Sequence, residues 1–269
     1  HGPGLVQGSR LWLHTSPEFA MKRLLAAGSG SIYQIARVFR DGESGARHNP
    51  EFTLLEWYRV DFDHFQLMDE VAELVRVVLA GHRQPGPVER LSYRQAFRRY
   101  LDLDPFAPVT ALRDRAGELG IAVAGELSAD DPDPWRDLLL THAVEPQLGR
   151  GRLTFLHDYP ASQAALARVR PGDPPLAERF ELYMDGVELA NGFHELGDPL
   201  EQRSRFEADN ALRRRQGLTE VPVDQNLLGA LAEGLPDCAG VALGLDRLFM
   251  IAAGVERLEE VLAFPLERA

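Results

Sequence analysis

Cysteine is nearly missing from this 269-residue chain: Cys238 stands alone, which excludes an internal disulfide and fits a reducing compartment. No apolar run reaches the length of a membrane span, and the N-terminus lacks a charged-then-apolar leader pattern. The expectation is therefore a cytoplasmic protein with no membrane association. An excess of positive charge is also lacking. The formal net charge is −12, which argues against a surface built to coat nucleic acid, though not against a local basic patch. Internal repeats and long low-complexity tracts are absent. His48 and His194 have no metal-ligand spacing around them, which argues against zinc.

What remains is ordinary for a globular domain: 45% apolar and 26% charged residues, with ample length for a buried core. Helix ends are well marked. Ser16 can cap a helix carrying Pro17 in its first position and closed by Gly28. Ser92 with Gln95 and Asp198 with Glu201 form capping-box patterns, and Gly217 would end the second of these helices. The Asp/Pro-rich stretches 129–134 and 170–175 read as surface loops, with a helix over 135–148 between them. Residues 91–148 thus form a helical insertion between two sheet-forming parts.

Two segments rich in β-branched and aromatic residues, 32–40 and 51–60, flank a polar loop containing Gly42 and Gly45. In the second segment a period of two places Phe52, Leu54, Glu56 and Tyr58 on one face, with Leu55 and Trp57 pointing into the core. A buried face rarely carries a glutamate unless something there satisfies it, so this face is the candidate site. The loop between the strands offers Arg40, Arg47 and His48, cationic groups suited to phosphate, while an aromatic face can take a base.

Asp185 and Gly186 mark a two-residue hairpin turn. Met184 then pairs with Val187 and Tyr183 with Glu188, so Glu181 and Glu188 become diagonal neighbours roughly 7 Å apart in an ideal ladder. Two carboxylates in one site call for a cation, and magnesium bridging phosphate oxygens is suited to them. Strict alternation would put Asn191, Phe193 and Glu195 on the face opposite Glu188. For all of them to serve one pocket, the strand must bulge or bend near Gly192.

The runs TSPEFAMKRLL at 15–25, RHNPEFTLLEWYR at 47–59, ELANGFHEL at 188–196 and PDCAGVALGLDRL at 236–248 together resemble the class II aminoacyl-tRNA synthetases of the lysyl type. Within them the resemblance is greatest to the branch that modifies elongation factor P. It implies an α+β fold, a mainly antiparallel sheet flanked by helices, with residues 1–269 as one catalytic domain. It also implies that Arg40 holds the α-phosphate of ATP, Arg47 and His48 the outer phosphates, and that Phe52 stacks on adenine. Arg247 would clamp the far end of the triphosphate, Gly244 would leave room for it, and Arg40 and Arg247 would be the catalytic pair. Asp41, Gly42, Glu43, Asn49, Glu188 and Leu189 complete the implied nucleotide site. Glu181 and Glu188 match the family's magnesium positions.

For the amino acid, the resemblance assigns Glu18, beside Ser16, to the amino group near the carboxylate. Glu56, Tyr58, Asn191 and Glu195 surround the side-chain ammonium, and Phe193 packs beside it. Ala242 stands where lysyl enzymes usually carry glycine, and this alanine, with Ala190 and His194, favours the modifying branch. The usual adenine-contacting glutamate two residues after Arg40 is Gly42 here, with Glu43 its candidate substitute. No long helix precedes Thr15, so motif 1 is missing as the chain stands.

The implied substrates are (R)-β-lysine or lysine with ATP and Mg²⁺, the acceptor is elongation factor P rather than tRNA, and the assembly is a homodimer. Two other readings remain: a fragment of a tRNA-charging enzyme, and a non-catalytic regulator that keeps the pocket. The cluster Arg213, Arg214 and Arg215 reads as a solvated helix end, with docking of an acidic partner as its alternative.

Overall fold

Alternation in 51–60 produces the strand that organises the sheet. The computed structural model describes residues 12–123, 125 and 127–268. In it β2 (Glu51–Val60) pairs antiparallel with β1 (Ile32–Phe39) on one side and with β8 (Cys238–Gly244) on the other. From β8 the sheet continues through β7 (Val187–His194), β6 (Leu176–Met184), β4 (Leu153–Pro160) and β3 (Val88–Ser92). The short β5 (Val169–Arg170) pairs with β6, and among the described residues only β3 with β4 is parallel. The expected α+β fold with a mainly antiparallel sheet is the fold observed. No helix among the described residues is long and apolar enough to cross a membrane. The expectation about motif 1 concerns the segment before Thr15, of which residues 1–11 lie outside the described residues.

The two faces of the sheet have different covers. Behind it, α2 (His64–Leu79) and α8 (Leu245–Ala253) bury Leu67, Val71, Val75, Leu248 and Ile251 against Trp57, Phe180, Leu182 and Val241. Asp63 opens α2 with a capping box to Gln66. On the other face, α3 (Tyr93–Leu101), α4 (Val109–Glu118) and α5 (Asp133–Leu139) pack over Leu156, Tyr159 and Tyr183. The insertion begins later than its sequence pattern suggests. Val88 to Ser92 is a strand, and Leu91 belongs to it because the neighbouring β4 satisfies its backbone. The helix over 135–148 begins at Asp133, and after Leu139 it passes into a π-turn and a single 3₁₀ turn.

Helix ends were well indicated, with small shifts. Ser92 and Gln95 form the expected capping box of α3. Asp198 caps α6 (Pro199–Arg215), but Glu201 turns to Arg205 instead of completing a box. Gly217 follows the helix end at φ 71°. The first helix, α1 (Glu18–Ala26), starts one residue later than expected, and the Ser16 hydroxyl accepts from the Glu18 amide at 2.9 Å. Together with α7 (Gln225–Glu233), α1 closes the β1–β2–β8 end of the sheet, where Met21, Leu25, Tyr58 and Cys238 pack. Burial pushes the Cys238 thiol up to about 12, so it is an inert core group and no nucleophile.

Candidate active site

The hairpin pairs as its sequence requires, Met184 with Val187 and Tyr183 with Glu188. One residue later the register shifts: Leu182 faces Ala190 and Glu181 faces Asn191, leaving Leu189 as the extra residue. This bulge restores Asn191 and Phe193 to the face of Glu188. The required irregularity therefore exists, but at Leu189 and not at Gly192. Gly192 has a different task. A Cβ there would lie 2.4 Å from the Phe180 ring and 2.9 Å from the Gly240 carbonyl oxygen, so only glycine lets the back-face core close.

Two adjoining cavities open on this face. The first is cationic. Arg40, Arg47, His48 and Arg247 line it, with Glu43, Asn49, Phe52 and Glu188 around them and Leu189 and Gly244 in its floor. Arg247 is held by its neighbours: Nη1 donates to the Glu188 carbonyl at 3.0 Å and its carboxylate at 3.2 Å, and Nε to the Arg47 carbonyl at 3.2 Å. Its Nη2 lies 2.7 Å from His48 Nε2. A guanidinium can only donate, so this His48 nitrogen accepts and the ring is neutral. Burial, followed by the Arg247 charge, lowers His48 below its ordinary value.

Arg40 lies 5.1 Å from the Phe52 ring centroid and 3.6 Å from Glu43. Glu43 thus stands beside the proposed base platform, while Gly42 turns the loop at φ 77° and neither it nor Asp41 lines the cavity. Asn49 braces the loop, donating to the Glu51 carbonyl and accepting from the Leu266 amide.

The second cavity is acidic. Ser16, Glu18, Glu56, Tyr58, Asn191, Phe193 and Glu195 line it. Tyr58 and Ser16 each donate to Glu56 at 2.7 Å. Burial, then Glu18, raises Glu56, and burial holds Tyr58 protonated as a donor. Arg40, Asn191 and Ala242 belong to both cavities, so the cationic and acidic compartments share one wall.

Two residues of this site escaped the sequence reading. Lys22, 1% exposed, bridges Glu18 at 2.8 Å and Glu195 at 2.6 Å. Its spacing of four from Glu18 was a visible signal. Gly240 is the second, for a Cβ there would meet the Tyr58 ring at 2.3 Å and Glu195 Oε1 at 2.4 Å.

Glu181 is placed differently from the other predicted residues. It lines neither cavity, being buried behind Glu188, where it takes Arg179 and Tyr183 at 2.5 Å each. Glu145, also missed by the sequence reading, joins this acidic group: burial, then Glu181 and Glu188, pushes it up to about 7. Burial and Glu181 likewise raise Glu188.

A cationic cleft thus adjoins an acidic pocket on a mainly antiparallel sheet with a bulged hairpin. The family model of class II tRNA synthetases (D, K and N) matches residues 5–268. The chain belongs to this family. It is also similar to the elongation factor P–(R)-β-lysine ligase of Vibrio cholerae, 52% identical over 269 residues, all of this chain and 82% of the relative. The ligase of the same name from Salmonella paratyphi B is 52% identical over the whole chain and 81% of its own length.

Proposed function

We propose that the chain is a single catalytic domain that activates (R)-β-lysine, or lysine, with ATP and transfers it to a lysine of elongation factor P. The observation that carries this is the shared wall at Arg40, Asn191 and Ala242. A triphosphate in the cationic cleft and an amino acid in the acidic pocket meet there. Glu18, Glu56 and Glu195 all line the pocket, and Lys22 bridges two of them, so the surroundings suit a guest carrying ammonium groups.

Activation proceeds by attack of the substrate carboxylate on the α-phosphorus. The bond to the β-phosphate oxygen breaks, pyrophosphate leaves, and an acyl-adenylate forms. Arg40 at the shared wall stabilises charge gathering on the α-phosphoryl oxygens, and Arg247 with Arg47 holds the outer phosphates. In the second step an acceptor amine attacks the activated carbonyl and AMP departs. Glu188, with Glu181 and Glu145 behind it, fits a divalent cation, because burial and the neighbouring Glu181 raise Glu188 and Glu145. Bound magnesium would neutralise phosphate charge there. Relatives of this name at 52% identity support the protein acceptor over tRNA.

ATP–pyrophosphate exchange tests the first step. The exchange should require (R)-β-lysine or lysine and be lost in Arg247→Ala. Absence of exchange with either isomer would leave a ligand-binding regulator as the better reading.

A further inference from the structure

The back of the sheet holds a second constellation that the adenylation chemistry does not use. Because β7 alternates, Phe193 faces the acidic pocket while the His194 ring points to the opposite face. There it meets Glu178 of β6 and His64, the first residue of α2. One ring nitrogen from each histidine and one Glu178 carboxylate oxygen all lie within 4.8 Å of one another. His64 is 2% exposed and His194 7% exposed.

The partners on these groups divide into ligand and support. Neither His64 nitrogen has a hydrogen-bond partner among the described residues, although both are buried. Such an orphaned polar ring calls for an ion or a water. His194 Nδ1 lies 2.7 Å from Glu178 Oε2, and its Nε2 lies 2.9 Å from Asp237 Oδ1. A carboxylate oxygen only accepts, so at 2.7 Å Nδ1–H donates to Glu178 when no ion is bound, and a dication would displace that proton while Nε2 keeps its bond to Asp237. A carboxylate behind a histidine is the support that orients metal-bound imidazoles. Asp237 is in turn held by Arg168 at 2.5 Å. The second oxygen of Glu178 faces Arg170 at 3.6 Å, which leaves Oε2 for the cluster.

From this geometry we infer that His64, His194 and Glu178 form a binding site for a transition-metal dication of the zinc class, with Asp237 as the positioning residue behind His194. Two imidazoles and one carboxylate are a ligand set suited to zinc or cobalt, and magnesium prefers all-oxygen surroundings. Three protein ligands leave one position for water. Spacing along the chain gives no notice of the site, since its ligands come from α2, β6 and β7. An ion there would tie β7 to α2 at the residue between Phe193 and Glu195.

The test is Co²⁺ and Zn²⁺ binding to the chelator-treated full chain in millimolar Mg²⁺, which occupies oxygen-only sites. One equivalent of Co²⁺ should give a visible absorption band that stoichiometric Zn²⁺ abolishes. His64→Phe, which keeps an aromatic filler, and Glu178→Gln should each remove the band. Asp237→Asn should weaken Zn²⁺ binding about 10–100-fold. Thermal unfolding without metal checks that the variants fold, and Zn²⁺ should raise the midpoint of the natural chain but not of His64→Phe. No bound equivalent in the presence of Mg²⁺, or an equivalent retained by folded His64→Phe, would overturn the site and leave a buried water as the partner of His64. Neither result bears on the adenylation reading, which pyrophosphate exchange addresses separately.

Discussion

Lys22 Nζ lies 2.6 Å from Glu195 Oε2, and each side chain is only 1% exposed. The acidic pocket thus contains its own ammonium, seated on the helix that also brings Glu18. Burial opposes the charge on Lys22, but Glu18 and Glu195 outweigh it and its pKa is raised. Replacing Lys22 by Met should cost about 3–5 kcal/mol, because it strands buried carboxylates without a partner. Denaturant unfolding reads this directly, and the double variant Lys22→Met, Glu195→Gln should recover part of the loss. An unchanged midpoint for Lys22→Met would show that the bridge contributes nothing to stability.

Ala242 pairs with Glu56 on one side and Asn191 on the other, so its methyl projects between two residues of the pocket. Ala242→Gly should shift preference towards α-lysine, with a change in discrimination worth about 1–3 kcal/mol. The ratio of kcat/KM values for the two isomers in pyrophosphate exchange measures it. Equal selectivity in variant and parent would remove Ala242 from the specificity argument.

At Gly240 the prediction separates the two cavities. Gly240→Ala drives a Cβ into Tyr58 and Glu195, both residues of the acidic pocket. Amino-acid binding should be lost while ATP binding, measured by calorimetry without amino acid, persists. Loss of both together would mean that the compartments are not separable as described.

The pH dependence of ATP binding rests on His48. Burial and Arg247 lower its pKa in the free protein, and a triphosphate beside it would raise the value. A group whose pKa is higher in the complex takes up a proton on binding, so affinity should increase as pH falls through the bound-state pKa. Calorimetry near about pH 6 in buffers of different ionisation enthalpy should detect uptake that His48→Gln abolishes. Zero net uptake by the unaltered chain would contradict the assignment.

Local signals made the strand pair around Arg40, the Asp185-Gly186 hairpin and the cap at Ser92 legible before any coordinates. Each depends on neighbours in sequence, where period, turn chemistry and capping act. Leu189 was not legible as the bulge because register depends on what β7 must present to both β6 and β8. Val88 to Ser92 was missed for a related reason: its strand character comes from β4, more than 60 residues later. Glu181 was read correctly as a neighbour of Glu188, but its burial behind that residue depends on Arg179 and Tyr183. The His64, Glu178 and His194 group has no sequence signature, since only folding brings its three elements together.

Transfer of label tests the central claim most directly. Radiolabelled (R)-β-lysine or lysine would be offered with ATP and Mg²⁺ to the protein, in parallel reactions containing elongation factor P or tRNA. The account predicts label on elongation factor P, abolished by Arg247→Ala. Label carried by tRNA, with elongation factor P left blank, would contradict it.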